Sequence, residues 1–155
     1  MEDQLKSNSF EIEPLNQEFY DSAINFLEQV FHKEQSIPKE LIPLKNDSEK
    51  WWCIISDGEV LGIVAAWKIK SEWHWGRLAI DKKLRGLGLG TKIAVKSLND
   101  LFHMGIEEVC IDARDITVSL LLKIGGKITG KKTSFYGASI TPMKIMKNDF
   151  VHINT

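Results

Sequence analysis

Apolar and polar positions change period several times along the chain, and each change marks an element. FEIEP (10–14) alternates apolar and acidic residues and stops on a proline, which predicts a short edge strand. From Asn16, a residue suited to capping, Phe19, Ala23, Phe26, Leu27, Val30 and Phe31 recur at helical spacing and predict a helix over about 17–32. Pro38 fits the first turn of a short second helix, IPKELI, which Pro43 ends. WWCIIS (51–56) and VLGIVAAWKI (60–69) flank Asp57-Gly58, a hairpin signal, and so predict two antiparallel strands. WHWGRLAI (73–80) is a fourth strand and runs straight into KKLRGLGLGTKIA (82–94). Behind those glycines, Ala94, Leu98, Leu101 and Phe102 mark one helical face that Gly105 can end. A helix of that length makes a crossover, so EVCIDA (108–113) becomes a fifth strand parallel to the fourth. Residues 115–124 read as another helix stopped by Gly125-Gly126, and KITGKKTSF and ASITPMKIMK as two more strands. The order is β, α, α, three antiparallel strands, α, β, α, β, β. It describes a mixed α/β fold whose sheet is mostly antiparallel, with no repeat or linker.

Composition narrows the setting. A chain of 155 residues that is 43% hydrophobic has the size and apolar content of one domain, here 1–155. No apolar run approaches the ~18 residues that span a bilayer, and the opening MEDQLKSNSF is polar and acidic. Neither signal peptide nor membrane anchor is visible, and the expected location is cytoplasmic. Cys53 and Cys110 each sit in an apolar strand run, which points to buried thiols instead of a disulfide or a metal pair; no metal is expected. The net charge of -1 hides an asymmetry: residues 1–60 carry 13 acidic and 5 basic side chains, the remainder 8 acidic and 15 basic. A basic half can attract anions. The basic residues are scattered over several elements, however, with no RNA-binding aromatic signature and no zinc-finger spacing, so nucleic acid is not an expected partner.

The glycines of KKLRGLGLGTKIA alternate with other residues, leaving several backbone N–H groups free of side-chain cover ahead of a helix. Such amides converge on an anion, helped by the positive end of the helix, and a pyrophosphate suits them. A P-loop requires GxxxxGK followed by Ser or Thr, whereas Gly90-Thr91-Lys92 reverses that order. A dinucleotide fingerprint requires GxGxxG, but from Gly86 and Gly88 the third position falls on Thr91, and the segment follows a hairpin instead of opening a βαβ unit.

Arg85-Gly86-Leu87-Gly88-Leu89-Gly90 resembles the RxxGxG signature of the GNAT superfamily of acyl-CoA N-acyltransferases. The preceding RLAIDKKL is similar to that family's strand-four exit, and the element order matches over about residues 10–147. VFHKEQSIPKE (30–40) further resembles a GNAT subset with a VFxxEQxxP segment, whose members end in an F-x-x-A-x-I run like residues 135–140. The resemblance implies acetyl-CoA as cosubstrate and an amine acceptor, small molecule or peptide, attacking the thioester directly where strands four and five splay apart. It also implies a monomer or homodimer. The backbone of Leu78, Ala79 and Ile80 would pair with the pantetheine arm, while Arg85, Gly86, Leu87, Gly88, Leu89, Gly90 and Thr91 would grip the pyrophosphate, with Arg114 near the coenzyme.

Acyl transfer of this kind needs positioning, an oxyanion donor, a base for the ammonium and an acid for the thiolate. Candidate bases are Glu72 and His74 on strand four and Glu34 after the first helix. A histidine between two tryptophans also reads as packing, and Glu34 as a solvated helix end. The family's usual acid is a tyrosine in a pattern like YxKLGF. LLKIGG (121–126) places Leu121 there and Gly126 at the aromatic position, and Arg114-Asp115 stands where an asparagine is often seen. A leucine donates no proton, so Tyr136 in the final hairpin becomes a substitute candidate and a non-catalytic acyl-CoA binding or sensing domain stays open. Of the five tryptophans, Trp51 and Trp52 are expected to face opposite ways, while Trp73 and Trp75 share a face as core or as an acceptor wall.

Overall fold

A computed structural model describes residues 10–30 and 49–151. The hairpin at Asp57-Gly58 sets its frame: both residues have positive φ, 51° and 78°, the geometry that matches the twist of the flanking strands. It joins β2 (Lys50–Ser56) to β3 (Glu59–Ile69), and β3 pairs in turn with β4 (Glu72–Ile80), both antiparallel. β1 (Phe10–Pro14) closes one edge, antiparallel to β2 and ending on its proline.

Asn16 caps as its side chain suggests, its Oδ1 accepting the Glu18 N–H at 2.9 Å. The first turn it starts is 3-10 (Gln17–Phe19), because the cap bond tightens the chain before the α-helix α1 (Tyr20–Leu27) begins. Ala23, Phe26 and Leu27 form its buried face. The rest of the expected first helix beyond residue 30, the second helix IPKELI and the candidate Glu34 lie outside the described residues.

Past the glycines, α2 (Leu89–His103) crosses over and delivers β5 (Glu108–Arg114) parallel to β4, with His74 opposite Cys110. Gly105 ends the helix at φ 97°, and the Ile106 N–H bonds back to the Leu101 carbonyl at 3.4 Å. α3 (Asp115–Lys123) follows. The expected single strand KITGKKTSF is two short ones, β6 (Lys127–Ile128) and β7 (Thr133–Phe135), and both pair with β8 (Ala138–Met146). Gly130 and the two lysines after it interrupt the apolar alternation there, so pairing lapses between the ends. The sheet runs β1-β2-β3-β4-β5-β8-β6, mixed, with β4 and β5 as its parallel pair.

Strand alternation sends side chains to two cores. Trp52, Val64, Ala66, Trp75, Ile111, Ala113 and Met143 pack beneath α2 and α3. Trp51, Cys53, Ile63 and Ala65 pack beneath α1 on the other face, so Trp51 and Trp52 do face opposite ways. Trp75 is anchored within the first core by its indole N–H, donated to the buried Ser97 hydroxyl at 2.8 Å. Trp73 packs against that same core. Among the described residues, no helix is long and apolar enough to cross a membrane.

Candidate active site

The site begins with a defect in β4. Gly76 pairs with Ala65 and Ala79 with Ile63, so Arg77 and Leu78 together oppose the single residue Val64. This is a bulge: it bends the strand and releases part of the ladder. Arg77 takes the extra residue in a left-handed conformation, φ 58°, which a non-glycine residue adopts at a cost of about 1 kcal/mol or more. Its side chain is thereby aimed across the sheet face, with the guanidinium carbon 4.1 Å from the centre of the Trp67 ring. A Cβ on Gly76 would stand 3.3 Å from that ring, so glycine there leaves room for the indole.

His74 sits on the same face, its ring stacked with Trp67 at 6.0 Å between centroids and 12° between planes. Its Nε2 lies 3.4 Å from Oε1 of Glu72. Donor atoms of Glu72, Glu108 and Cys110 fall within 4.8 Å of one another, and Lys144 pairs with Glu108 at 2.9 Å. Burial, and then the Glu72 carboxylate, push the Cys110 thiol up from its ordinary value. That thiol is a poor nucleophile.

Beyond His74 and Cys110 the two parallel strands wall a cavity of about 220 Å³. On the β4 side it is lined by His74, Gly76, Arg77 and Leu78, and on the β5 side by Cys110, Asp112 and Arg114. Thr117 of α3 and Phe135 of β7 lie at its margin. Leu78 and Ile80 pack their side chains toward the α2 core, as does the buried Leu89, and Ala79 is buried on the α1 side. Burial lowers the Arg77 guanidinium from its ordinary value, against an opposing pull from Glu49, and burial lowers Arg114 as well.

After β4 a 3-10 turn (Lys82–Leu84), capped by Asp81, leads to the glycines. Gly86 and Gly88 have φ of 89° and 77°, and a Cβ on either would meet nothing within 4 Å. The requirement is therefore conformational: positive φ turns successive N–H groups to one side, in space that a bound group can enter. Gly88 is the N-terminal cap of α2 with no side-chain acceptor, and the first turn of a helix carries N–H groups without intrahelical partners. Arg85 folds back, its Nε donating to the Ile80 carbonyl at 3.1 Å, which ties the loop to the end of β4. The exposed Lys82, Lys83 and Arg85 surround it with positive charge. A pyrophosphate fits such a cradle on all these counts.

The profile of the acetyltransferase (GNAT) family matches residues 12–125, which span β1 to the end of α3. The chain belongs to that family. Among solved structures it is similar to Escherichia coli ElaA, with a TM-score of 0.76 and 18% identity over 88% of this chain and 99% of that one. It is similar to the PaiA N-acetyltransferase of Thermoplasma acidophilum in complex with coenzyme A, with a TM-score of 0.66 and 15% identity over 89% and 99%. A GNAT acetyltransferase of Elizabethkingia anophelis with acetyl-CoA bound gives a TM-score of 0.68 and 15% identity over 90% and 99%. These likenesses are of fold. No significant match is found among curated proteins.

Two of this GNAT chain's expected chemical positions are used structurally. Leu121 is fully buried in the α2/α3 core, and Gly126 bonds back to its carbonyl at 2.8 Å to close the helix end. Tyr136 is half-exposed in the β7–β8 turn, where it and Gly137 have φ of 47° and 81°, and its neighbour Phe135 is the residue that lines the cavity. The two rings meet edge to face at 4.7 Å. Sequence reasoning passed over Trp67 and Arg77. The signal was present in WHWGRLAI, where Gly76-Arg77 breaks an alternating apolar run, the mark of a bulge.

Proposed function

We propose that this GNAT chain transfers an acetyl group from acetyl-CoA to a primary amine of a small molecule or peptide, by direct attack within a ternary complex. The observation that carries this reading is the joining of a basic glycine loop to a bulged β4 whose other end presents His74 to the cavity between β4 and β5. Bound acetyl-CoA would supply the activated acyl group. The amides from Gly86 to Thr91, with Arg85, would hold its pyrophosphate, and Arg114 would flank the arm. The backbone N–H groups of the bulge at Leu78, continuing through Ala79 and Ile80, would pair with the pantetheine and donate to the carbonyl oxygen as negative charge grows on it. His74, held by stacking on Trp67 and steadied by Glu72, would take the proton from the attacking amine. Glu72 alone is the alternative base. The carbon–nitrogen bond forms as the carbon–sulfur bond breaks. With Leu121 in the core, water entering the open cavity would protonate the departing thiolate. Tyr136 is not among the residues that line the cavity.

Calorimetry with acetyl-CoA and CoA, paired with thiol release against an amine and peptide panel, tests the reading. Saturable binding and amine-dependent thiol release are expected. Binding without release against any acceptor would leave an acyl-CoA binding domain, and failure to bind either compound would remove the whole reading.

A further inference from the structure

Two arginines line the cavity from its two walls, Arg77 from β4 and Arg114 from β5. Every ion pair among the described residues involves a lysine or histidine, so neither arginine is ion-paired with a described carboxylate. Nη1 of Arg77 is buried without a hydrogen-bond partner. Buried donors of this kind are nearly always satisfied in folded proteins, and an unmet one on a charged group is costly. The chain nevertheless holds this guanidinium in place twice over, through a left-handed backbone at the bulge and through the Trp67 ring at 4.1 Å. A cation that is oriented at the expense of backbone strain, yet has no ion-pair partner among the described residues, is arranged for a group from outside the chain.

The surroundings say which group. Glu49 acts on Arg77 electrostatically without forming an ion pair with it, and its Oε1 accepts the Trp51 indole N–H at 3.1 Å. Asp112, the carboxylate lining the cavity, is exposed at its rim. Trp67, Leu78, Phe135 and Ile140 make the remaining wall apolar, which strengthens any charge pairing inside it. A guanidinium is a planar fork matched to a carboxylate. We propose that the cavity selects a reactant bearing a carboxylate, gripped by Arg77 with Arg114 as the second cation. The inference rests on the acyl-transfer reading of the same cavity and names its substrate class. The carboxylate belongs either to the amine acceptor, as in an amino acid, or to the acyl group, as in a dicarboxylic acyl-CoA.

Two matched comparisons separate those sources: each common amino acid against its carboxamide with acetyl-CoA, and succinyl-CoA against butyryl-CoA with a neutral amine. One comparison is expected to favour the carboxylate at least tenfold in kcat/KM. Arg77→Met is expected to erase that preference mainly through KM, and Arg77→Lys, which keeps the charge and loses the fork, to restore part of it. Turnover without preference in either comparison would overturn the carboxylate site and leave acyl transfer standing. In parallel, calorimetry compares N-acetylated amino acids with their amides on CoA-saturated protein, and succinyl-CoA with butyryl-CoA on protein free of CoA. A preference for the acid that Arg77→Met abolishes, without turnover of any pair, would retain the site and remove acyl transfer. Neither turnover nor preferential binding would overturn both, and should Arg77→Met fail to fold by circular dichroism, Arg77→Lys carries the same comparisons.

Discussion

Oε1 of Glu72 lies 3.4 Å from Nε2 of His74, and the imidazole stacks on the Trp67 ring of the same sheet face. The two contacts fix where the ring points, which is what a base must have before its proton affinity matters. His74→Gln keeps the size and removes the base. It is expected to lower kcat by about 10²–10⁴, while CoA affinity by calorimetry stays within twofold. Glu72→Gln should cost less, because Trp67 still holds the ring. An unchanged kcat in His74→Gln would shift the role to another group.

Gly88 separates holding from folding. At φ 77° an alanine carries left-handed strain of about 1–2 kcal/mol, although the space beside it is open. Gly88→Ala is expected to destabilise the chain by that amount in urea titration. If the positive φ is what aims the amides at the pyrophosphate, the same change raises the Kd for CoA more than tenfold. Loss of stability with unaltered CoA affinity would put the cradle elsewhere.

Cys53 gives a pH dependence with a defined sign. Burial first, then the Glu13 charge, push its thiol from 9.0 up to about 12, and its Sγ lies 3.7 Å from the Glu13 carbonyl oxygen. Because the folded value is raised, the folded chain retains a proton that the unfolded chain loses. The stabilisation is complete below pH 9 and is lost as pH rises toward about 12. Within that window Cys53 contributes a fall of roughly 1.4 kcal/mol per pH unit. Stability measured by denaturant at pH 8.5, 9.5 and 10.5 should decline less steeply in Cys53→Ala than in the parent. Equal slopes would mean that the thiolate is solvated in the folded chain.

The elements legible in the sequence are those where local chemistry and tertiary packing agree. Asp57-Gly58, Asn16 and Gly105 act as their turn and cap propensities dictate, and the crossover between β4 and β5 follows from helix length. The glycine loop was legible for the same reason, since positive φ at Gly86 and Gly88 is written into the residue type. Arg77 and Trp67 were not. Their meaning depends on a two-against-one pairing across β3 and β4, and register is a property of two strands that neither declares alone. The split between β6 and β7 was missed because both short strands borrow their pairing from β8.

Leu121 tests the boundary between a family's pattern and this chain's packing. The position matches the tyrosine of YxKLGF in sequence, yet its side chain is fully buried against the α2/α3 core, and Gly126 closes over its carbonyl at 2.8 Å. The α3 residue lining the cavity is Thr117, one turn earlier. Leu121→Tyr would therefore add volume and a hydroxyl where neither a cavity nor a described acceptor waits for them. It is expected to destabilise the chain by about 1–3 kcal/mol without raising kcat. If the substitution instead increased kcat and introduced a basic-limb dependence on a phenol, α3 would have to turn its buried face toward the thioester, and the core around Ile124 and Leu121 would be in exchange with the active cavity. Denaturant titration beside a pH–rate profile of the same variant distinguishes the two outcomes.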